Sequence, residues 1–352
     1  MKKLSAILSL VLVVCLLSGC AGTPVVYCTC PTEGGAAAPT EPEETKAPEV
    51  IAEGELKTGL ALVTSVAESV DGEAKYDVTI AAVNVDENGI IVDCYLDSIG
   101  ASVQFGTDGV ITSDVAAAVL TKNELGDSYG MKAYGGATYE WYEQAAALAK
   151  YAVGKTVEEL RAGAVNESGK AADADLATSA TIRLDTYVDT IEKAVANAQN
   201  LGAEAGDALK VSVISSLADS KSAEGETAGN AQLNVDVAAI TMNGETITAC
   251  AIDAVQAKVA FDAAGVITSD VTAAVQTKNE LGEGYGMKAW GGATYEWNEQ
   301  AANFSAYVTG KTVAEVAGIA IDEGTKPTDA DLSTSVTIAI GGFLALIAKA
   351  AQ

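Results

Sequence analysis

"GVITSDVAAAVLTKNELGDSYGMKAYGGATYEWYEQAA" occupies residues 109–146, and 156 residues later the chain repeats it as "GVITSDVTAAVQTKNELGEGYGMKAWGGATYEWNEQAA", residues 265–302. The two 38-residue stretches differ at six positions. The same offset carries Cys94 onto Cys250, Asp97 onto Asp253, Phe105 onto Phe261 and Thr181 onto Thr337. Self-similarity over such a period implies duplication of one globular unit rather than a solenoid, whose repeats run to a few tens of residues. The expected organisation is two tandem copies of a small domain, residues 55–200 and 208–352, joined by "NLGAEAGD" (residues 200–207).

Each copy opens with strand-like sequence. "KYDVTIAAVNV" (residues 75–85) and "QLNVDVAAITM" (residues 232–242) alternate and are rich in Val and Ile. Asn88-Gly89 and Asn243-Gly244 then supply turns before "IIVDCYLD" and "TITACAIDA". Gly109 and Gly265 sit where the next hairpins must reverse. The back half of each copy reads as helix. "EWYEQAAALAKYAVG" ends on a glycine. Thr156 with Glu159, and Thr312 with Glu315, have capping-box spacing. A last helix is predicted over residues 180–199, with its counterpart in "IAIGGFLALIAKAAQ". The fold class predicted is α+β: in each copy a mostly antiparallel sheet followed by C-terminal helices, after a disordered tether.

Composition excludes several functions. The net charge is -27, which opposes nucleic-acid binding, since that needs Lys and Arg to displace counterions from phosphates. The chain has no histidine. Haem attachment through C-x-x-C-H, histidine-ligated zinc or copper, and imidazole-based triads are therefore ruled out. No metal site is expected. Cys94 and Cys250 read as buried apolar thiols, and Cys28 and Cys30 are given no role.

The N-terminus gives an address. Lys2 and Lys3 precede a short apolar run, and "LSGC" (residues 17–20) resembles the lipobox of bacterial lipoproteins. That resemblance makes residues 1–19 a signal peptide and Cys20 the lipidated residue. It places the protein on the extracellular face of the cell membrane, held by its acyl chains. Residues 20–54 hold five of the six prolines among Glu, Thr, Ala and Gly, the composition of an extended tether.

One phrase points to chemistry. "DADLATSATI" (residues 173–182) and "DADLSTSVTI" (residues 329–338) stand at the same register, each ahead of the last helix. A helix N-terminus presents unpaired N–H groups and suits an anion such as phosphate. Thr178, Ser179 and Ala180 are short and leave room for a ligand at the backbone. Ser and Thr are equally the preferred N-caps, so on this physics alone the phrase is as readily a cap as a site.

"DLATSAT" (residues 175–181) and "DLSTSVT" (residues 331–337) resemble the flavinylation motif of FMN-binding domains modified by flavin transferases of the ApbE type. With "TKNELGDSYGMK" and "EWYEQ", the chain is more specifically similar to the lipoproteins of Gram-positive flavin-based extracellular electron transfer, the PplA-like family. The resemblance covers lipobox, tether and both copies. It implies FMN esterified through its phosphate to Thr181 and to Thr337, two in total. Asp175 and Asp331 match the motif's acidic position. Thr178, Ser179 and Ala180, and Thr334, Ser335 and Val336, stand between. Ser179 and Ser335 replace the usual Gly or Ala, and Val336 replaces Ala, from which a bulkier wall is expected at the second site.

The function so implied is a membrane-anchored electron carrier. Its partners are a flavin transferase, a membrane quinol-linked donor, and external acceptors such as ferric iron or free flavins. The alternatives are a non-redox solute-binding or adhesive lipoprotein and an extracellular flavin-dependent reductase. Against the last, neither an acid–base constellation nor a dinucleotide fingerprint is visible. Nine of the nineteen aromatics crowd into residues 129–142 and 285–297. Most are expected to be core, with one or two per copy touching the flavin. Tyr129 and Met131, with Tyr285 and Met287, are the candidates.

Overall fold

The computed structural model describes residues 54–352; the lipobox, Cys20 and most of the tether lie outside the described residues. The first half forms the antiparallel sheet β1 (Lys57–Ser65), β2 (Glu73–Val85) and β3 (Ile91–Gln104). Five helices follow: α1 (Lys122–Leu125), α2 (Trp141–Ala152), α3 (Val157–Ala164), α4 (Ala174–Ser179) and α5 (Asp185–Ala196). The second half forms the sheet β4 (Ala208–Ser216), β5 (Gly229–Asn243) and β6 (Thr246–Phe261). Its helices are α6 (Lys278–Leu281), α7 (Met287–Gly291), α8 (Trp297–Val308), α9 (Val313–Ala317), α10 (Ala330–Ser333) and α11 (Gly341–Ala350). The molecule is thus α+β, with two three-stranded antiparallel sheets, as the sequence suggests.

Strand periodicity explains the layering. Successive side chains of a strand point to opposite faces. In β2, Ala74, Tyr76, Val78, Ile80 and Ala82 enter one core, while Ala81, Val83 and Val85 enter another. In β5, Leu233, Val235, Val237 and Ala239 join the first of these, and Ala238 and Ile240 face α8 and α11. Both faces of each sheet are therefore covered, which is why the middle of each central strand, Ile80–Val83 and Val237–Ile240, is continuously apolar. The order of layers is helices, sheet, sheet, helices.

The sequence pictures two domains on an eight-residue connector, whereas the described residues all belong to one compact unit. The inner faces of both sheets share a single core, with the rings of Phe105 and Phe261 stacked at 3.8 Å. Contacts across the seam are reciprocal, as in an isologous dimer. Lys193 pairs with Glu280, and its counterpart Lys349 pairs with Glu124. The Ile111 amide donates to the Ser222 hydroxyl at 3.0 Å, and the Ile267 amide to the Asp71 carboxylate at 2.9 Å. Gly109 (φ +68°) and Gly265 (φ +71°) make the hairpin turns here. A Cβ on Gly265 would lie 2.4 Å from the Gly106 carbonyl oxygen, so close approach as well as φ demands glycine. The connector is tied down too: the Leu56 amide donates to Ala203 O (2.8 Å) and the Ala205 amide to Gly54 O (2.9 Å).

The last helix is shorter than expected. It starts at Asp185 rather than near residue 180. The amides that would begin it earlier are otherwise engaged. Thr181 N and Ile182 N donate to Gln144, and Leu184 N donates to Gly169 O at 2.7 Å.

Candidate functional site

The motif builds its own short helix. Asp173 caps α4, accepting from Asp175 N (2.9 Å) and Leu176 N (3.0 Å), and Asp329 does the same for α10. Thr181 and Thr337 lie just beyond those helices. Thr181 is therefore not at the N-terminus of α5, and the helix-end phosphate site expected from the sequence is not formed there. What holds each threonine is a glutamine.

Gln144 lies on α2 and is fully buried. Its Oε1 accepts from Thr181 N (2.8 Å), Thr181 Oγ1 (3.2 Å) and Ile182 N (3.1 Å). Its Nε2 donates to Tyr139 O (3.0 Å) and lies 3.8 Å from Met131 Sδ. Gln300 on α8 repeats every one of these bonds with Thr337, Ile338, Tyr295 and Met287. Both threonines are nevertheless exposed. A buried amide satisfied on both ends is a rigid anchor. It fixes the hydroxyl's donor direction inward, onto the glutamine oxygen.

The neighbouring loop is fixed by a second buried acid. Glu140, 2% exposed, caps α2 and also accepts from Met131 N (2.8 Å) and Lys132 N (3.0 Å). Glu296 holds Met287 N and Lys288 N alike. Lys132 pairs with Glu143 at 2.9 Å and holds that carboxyl below its usual range. In this segment one aromatic per half stands almost wholly in solvent: Tyr134 is 92% exposed and its counterpart Trp290, in α7, 89%. Each ring lies over a glycine, since a Cβ on Gly130 or Gly286 would meet ring atoms at 2.5 and 2.2 Å. In the first half the Lys170 ammonium also reaches Thr181 O.

The other candidates distribute as follows. Met131 and Met287 touch the glutamines and pack against the core. Tyr129 and Tyr285 lie beneath Lys122 and Lys278, each at 5.3 Å, and Tyr285 Oη donates to Gln256. Asp175 and Asp331 are exposed on the short helices. The hydroxyls of Thr178, Ser179, Thr334 and Ser335 turn back onto carbonyls of their own helices. Ala180 and Val336 are buried in the helical cores. The extra bulk of Val336 is thus absorbed by the core and forms no wall beside Thr337. Cys250 is buried and Cys94 half-buried, and burial pushes both thiols up to about 12, which leaves little reactive thiolate. Among the described residues no acidic or thiol cluster is arranged for a metal.

Sequence reasoning does not single out Gln144, Gln300, Glu140 or Glu296. The signal is present in "EWYEQ" and "EWNEQ", where Glu and Gln persist while the residue between varies. Comparison with protein-family models, with curated proteins and with solved structures finds no match.

Proposed function

We propose that this chain is a duplicated flavin carrier that holds one FMN as a phosphoester on Thr181 and one on Thr337. One observation carries the reading: in both halves an exposed threonine has its hydroxyl held by a fully buried glutamine, Gln144 in one and Gln300 in the other. A side chain so anchored suits covalent modification better than helix capping, because it caps nothing.

The residues present fit the group. The phosphoester needs an accessible hydroxyl, and Lys170 at Thr181 O adds positive charge beside it. The isoalloxazine needs an aromatic face, and Tyr134 and Trp290 offer one in a segment tied at Tyr139 or Tyr295 to the glutamine of its own half. The flavin supplies the redox chemistry, and the protein binds and orients it. Covalent attachment keeps the carrier charged outside the cell, where dissolved FMN would diffuse away. With the lipobox and tether read from the sequence, the proposed role is a lipid-anchored electron carrier. It takes electrons from a membrane quinol-linked donor and passes them to ferric iron or free flavins.

The test is intact mass after co-expression with a flavin transferase. Two FMN adducts are expected, one in Thr181→Ala or Thr337→Ala, and none in the double variant. Gln144→Ala removes all three bonds that hold Thr181 and Ile182 and should slow modification of Thr181 at least about tenfold. An unmodified mass for protein taken from its own cell surface overturns the proposal.

A further inference from the structure

A groove of about 700 Å³ lies along the seam, between β1 and α5 of the first half and β6, α6 and α8 of the second. That is the size of a small-molecule site, and such sites favour domain interfaces. Leu60, Leu62, Ala251 and Ile252 give it an apolar wall, while Asp253 and Asn279 present polar atoms. It is separate from the threonine sites and does not rest on their flavin reading.

The first half shows what belongs there. Tyr95 stands where the second half has Ala251, at the same register of the sheet: Tyr95 pairs with Ala82, and Ala251 with Ala239. The Tyr95 hydroxyl donates to Asp97 Oδ2 (3.0 Å) and accepts from Asn123 Nδ2 (3.2 Å). The second half keeps the rest of this network. Asp253 Oδ1 accepts from Ala254 N (2.7 Å) and Asn279 N (3.2 Å), as Asp97 Oδ1 does from Ser98 N and Asn123 N. Asn279 Nδ2 donates to Ile252 O at 2.9 Å, as Asn123 Nδ2 does to Leu96 O. Only the phenol has gone, and among the described residues no side chain replaces its hydroxyl. A further polar atom on the groove wall, Asn298 Oδ1, is buried without a hydrogen-bond partner.

We propose that the groove binds an uncharged hydroxy-aromatic molecule of the phenol or hydroquinone type, whose hydroxyl bridges Asp253 and Asn279 as the Tyr95 hydroxyl bridges Asp97 and Asn123. The ring takes the volume that the alanine leaves, on the face of the sheet where Ala251 meets Leu60 and Leu62. Asn298 Oδ1 accepts from a second hydroxyl on a larger ligand. Charge disfavours an anion. The groove carries the carboxylates of Asp253 and Glu280, and its one ammonium, Lys193, is already bound to Glu280 and to Leu62 O.

The experiment titrates the folded protein at pH 7.5 by calorimetry with three probes. They are p-cresol, which is the missing side chain itself, toluene, which lacks the hydroxyl, and 4-hydroxybenzoate, which adds a negative charge. Binding of p-cresol is expected, with toluene and 4-hydroxybenzoate each at least about tenfold weaker, since a hydrogen bond to a charged group is lost or a like charge is met. Ala251→Tyr should abolish the p-cresol signal by filling the groove from within. Ala251→Leu, a smaller filler, serves should the tyrosine variant not fold. The proposal is overturned if p-cresol gives no binding, if toluene matches it, or if a folded filled variant binds as before.

Discussion

Thr181 and Thr337 rest on their glutamines through the same three bonds, at 2.8, 3.2 and 3.1 Å in one half and 2.7, 3.2 and 3.1 Å in the other. Around the buried aspartates the halves part: Tyr95 closes the space beside Asp97, and Ala251 leaves it open beside Asp253. The contrast separates what the two halves share from where they differ. The threonine anchor and the seam are held in both copies. The seam's flank has differentiated, and there the two halves are no longer one device made twice.

The largest effect that sharpens this contrast concerns the seam. Phe261 is fully buried and Phe105 nearly so, and they stack on each other. Phe261→Ala should cost about 3–5 kcal/mol in denaturant unfolding, and Phe105→Ala nearly as much. If the halves are one folding unit, both changes shift a single transition. Two separated transitions, with only one moved, would show that each half folds alone.

Next comes the pair of buried aspartates. Burial raises the carboxyl of both Asp97 and Asp253, the latter to about 6. A carboxyl raised in the folded state binds its proton more tightly there than in the unfolded chain. Its contribution is therefore most favourable at low pH and is lost as pH rises through about 6. Relative to Asp253→Asn, the wild type should lose about 2–3 kcal/mol of stability between about pH 4 and pH 7. Chemical denaturation of both proteins across that range reads the difference, and a flat difference would contradict it.

The smallest effect tests symmetry at the surface. Lys193–Glu280 and Lys349–Glu124 are half-exposed ion pairs, each worth about 0.2–1 kcal/mol. Lys193→Ala and Lys349→Ala should cost similar amounts, shrinking together as salt is added. Unequal losses would mean that the groove beside Lys193 has altered that pair as well.

Much of the fold is legible in the amino-acid order. Alternation in residues 75–85 and 232–242 marks the central strands, and Thr156–Glu159 and Thr312–Glu315 form the capping boxes that their spacing indicates. The last helix is over-extended on sequence grounds because its apolar spacing continues back through Ile182. The competing bonds to Gln144 and Gly169 come from residues outside that helical pattern, Gln144 being 38 positions before Ile182. At the site, the motif marks the threonines, and Met131 and Met287 do lie against the glutamines that hold them. Gln144, Gln300 and the outward rings of Tyr134 and Trp290 carry no such mark. Nothing local distinguishes a glutamine that reaches across to a threonine 37 residues on from one that faces water.

Local rules, readable residue by residue, specify the internal sequence repeat, the order of strands and helices, the caps, the turns and the exclusion of histidine chemistry. Three features emerge only when the chain is assembled: the two halves share one core, each threonine hangs from a buried glutamine, and a groove opens where tyrosine gives way to alanine. The physical reason is range. Periodicity and capping act within a few residues, whereas burial of the second face of each sheet, and the pairing of polar groups inside it, depend on which distant segment arrives to cover them.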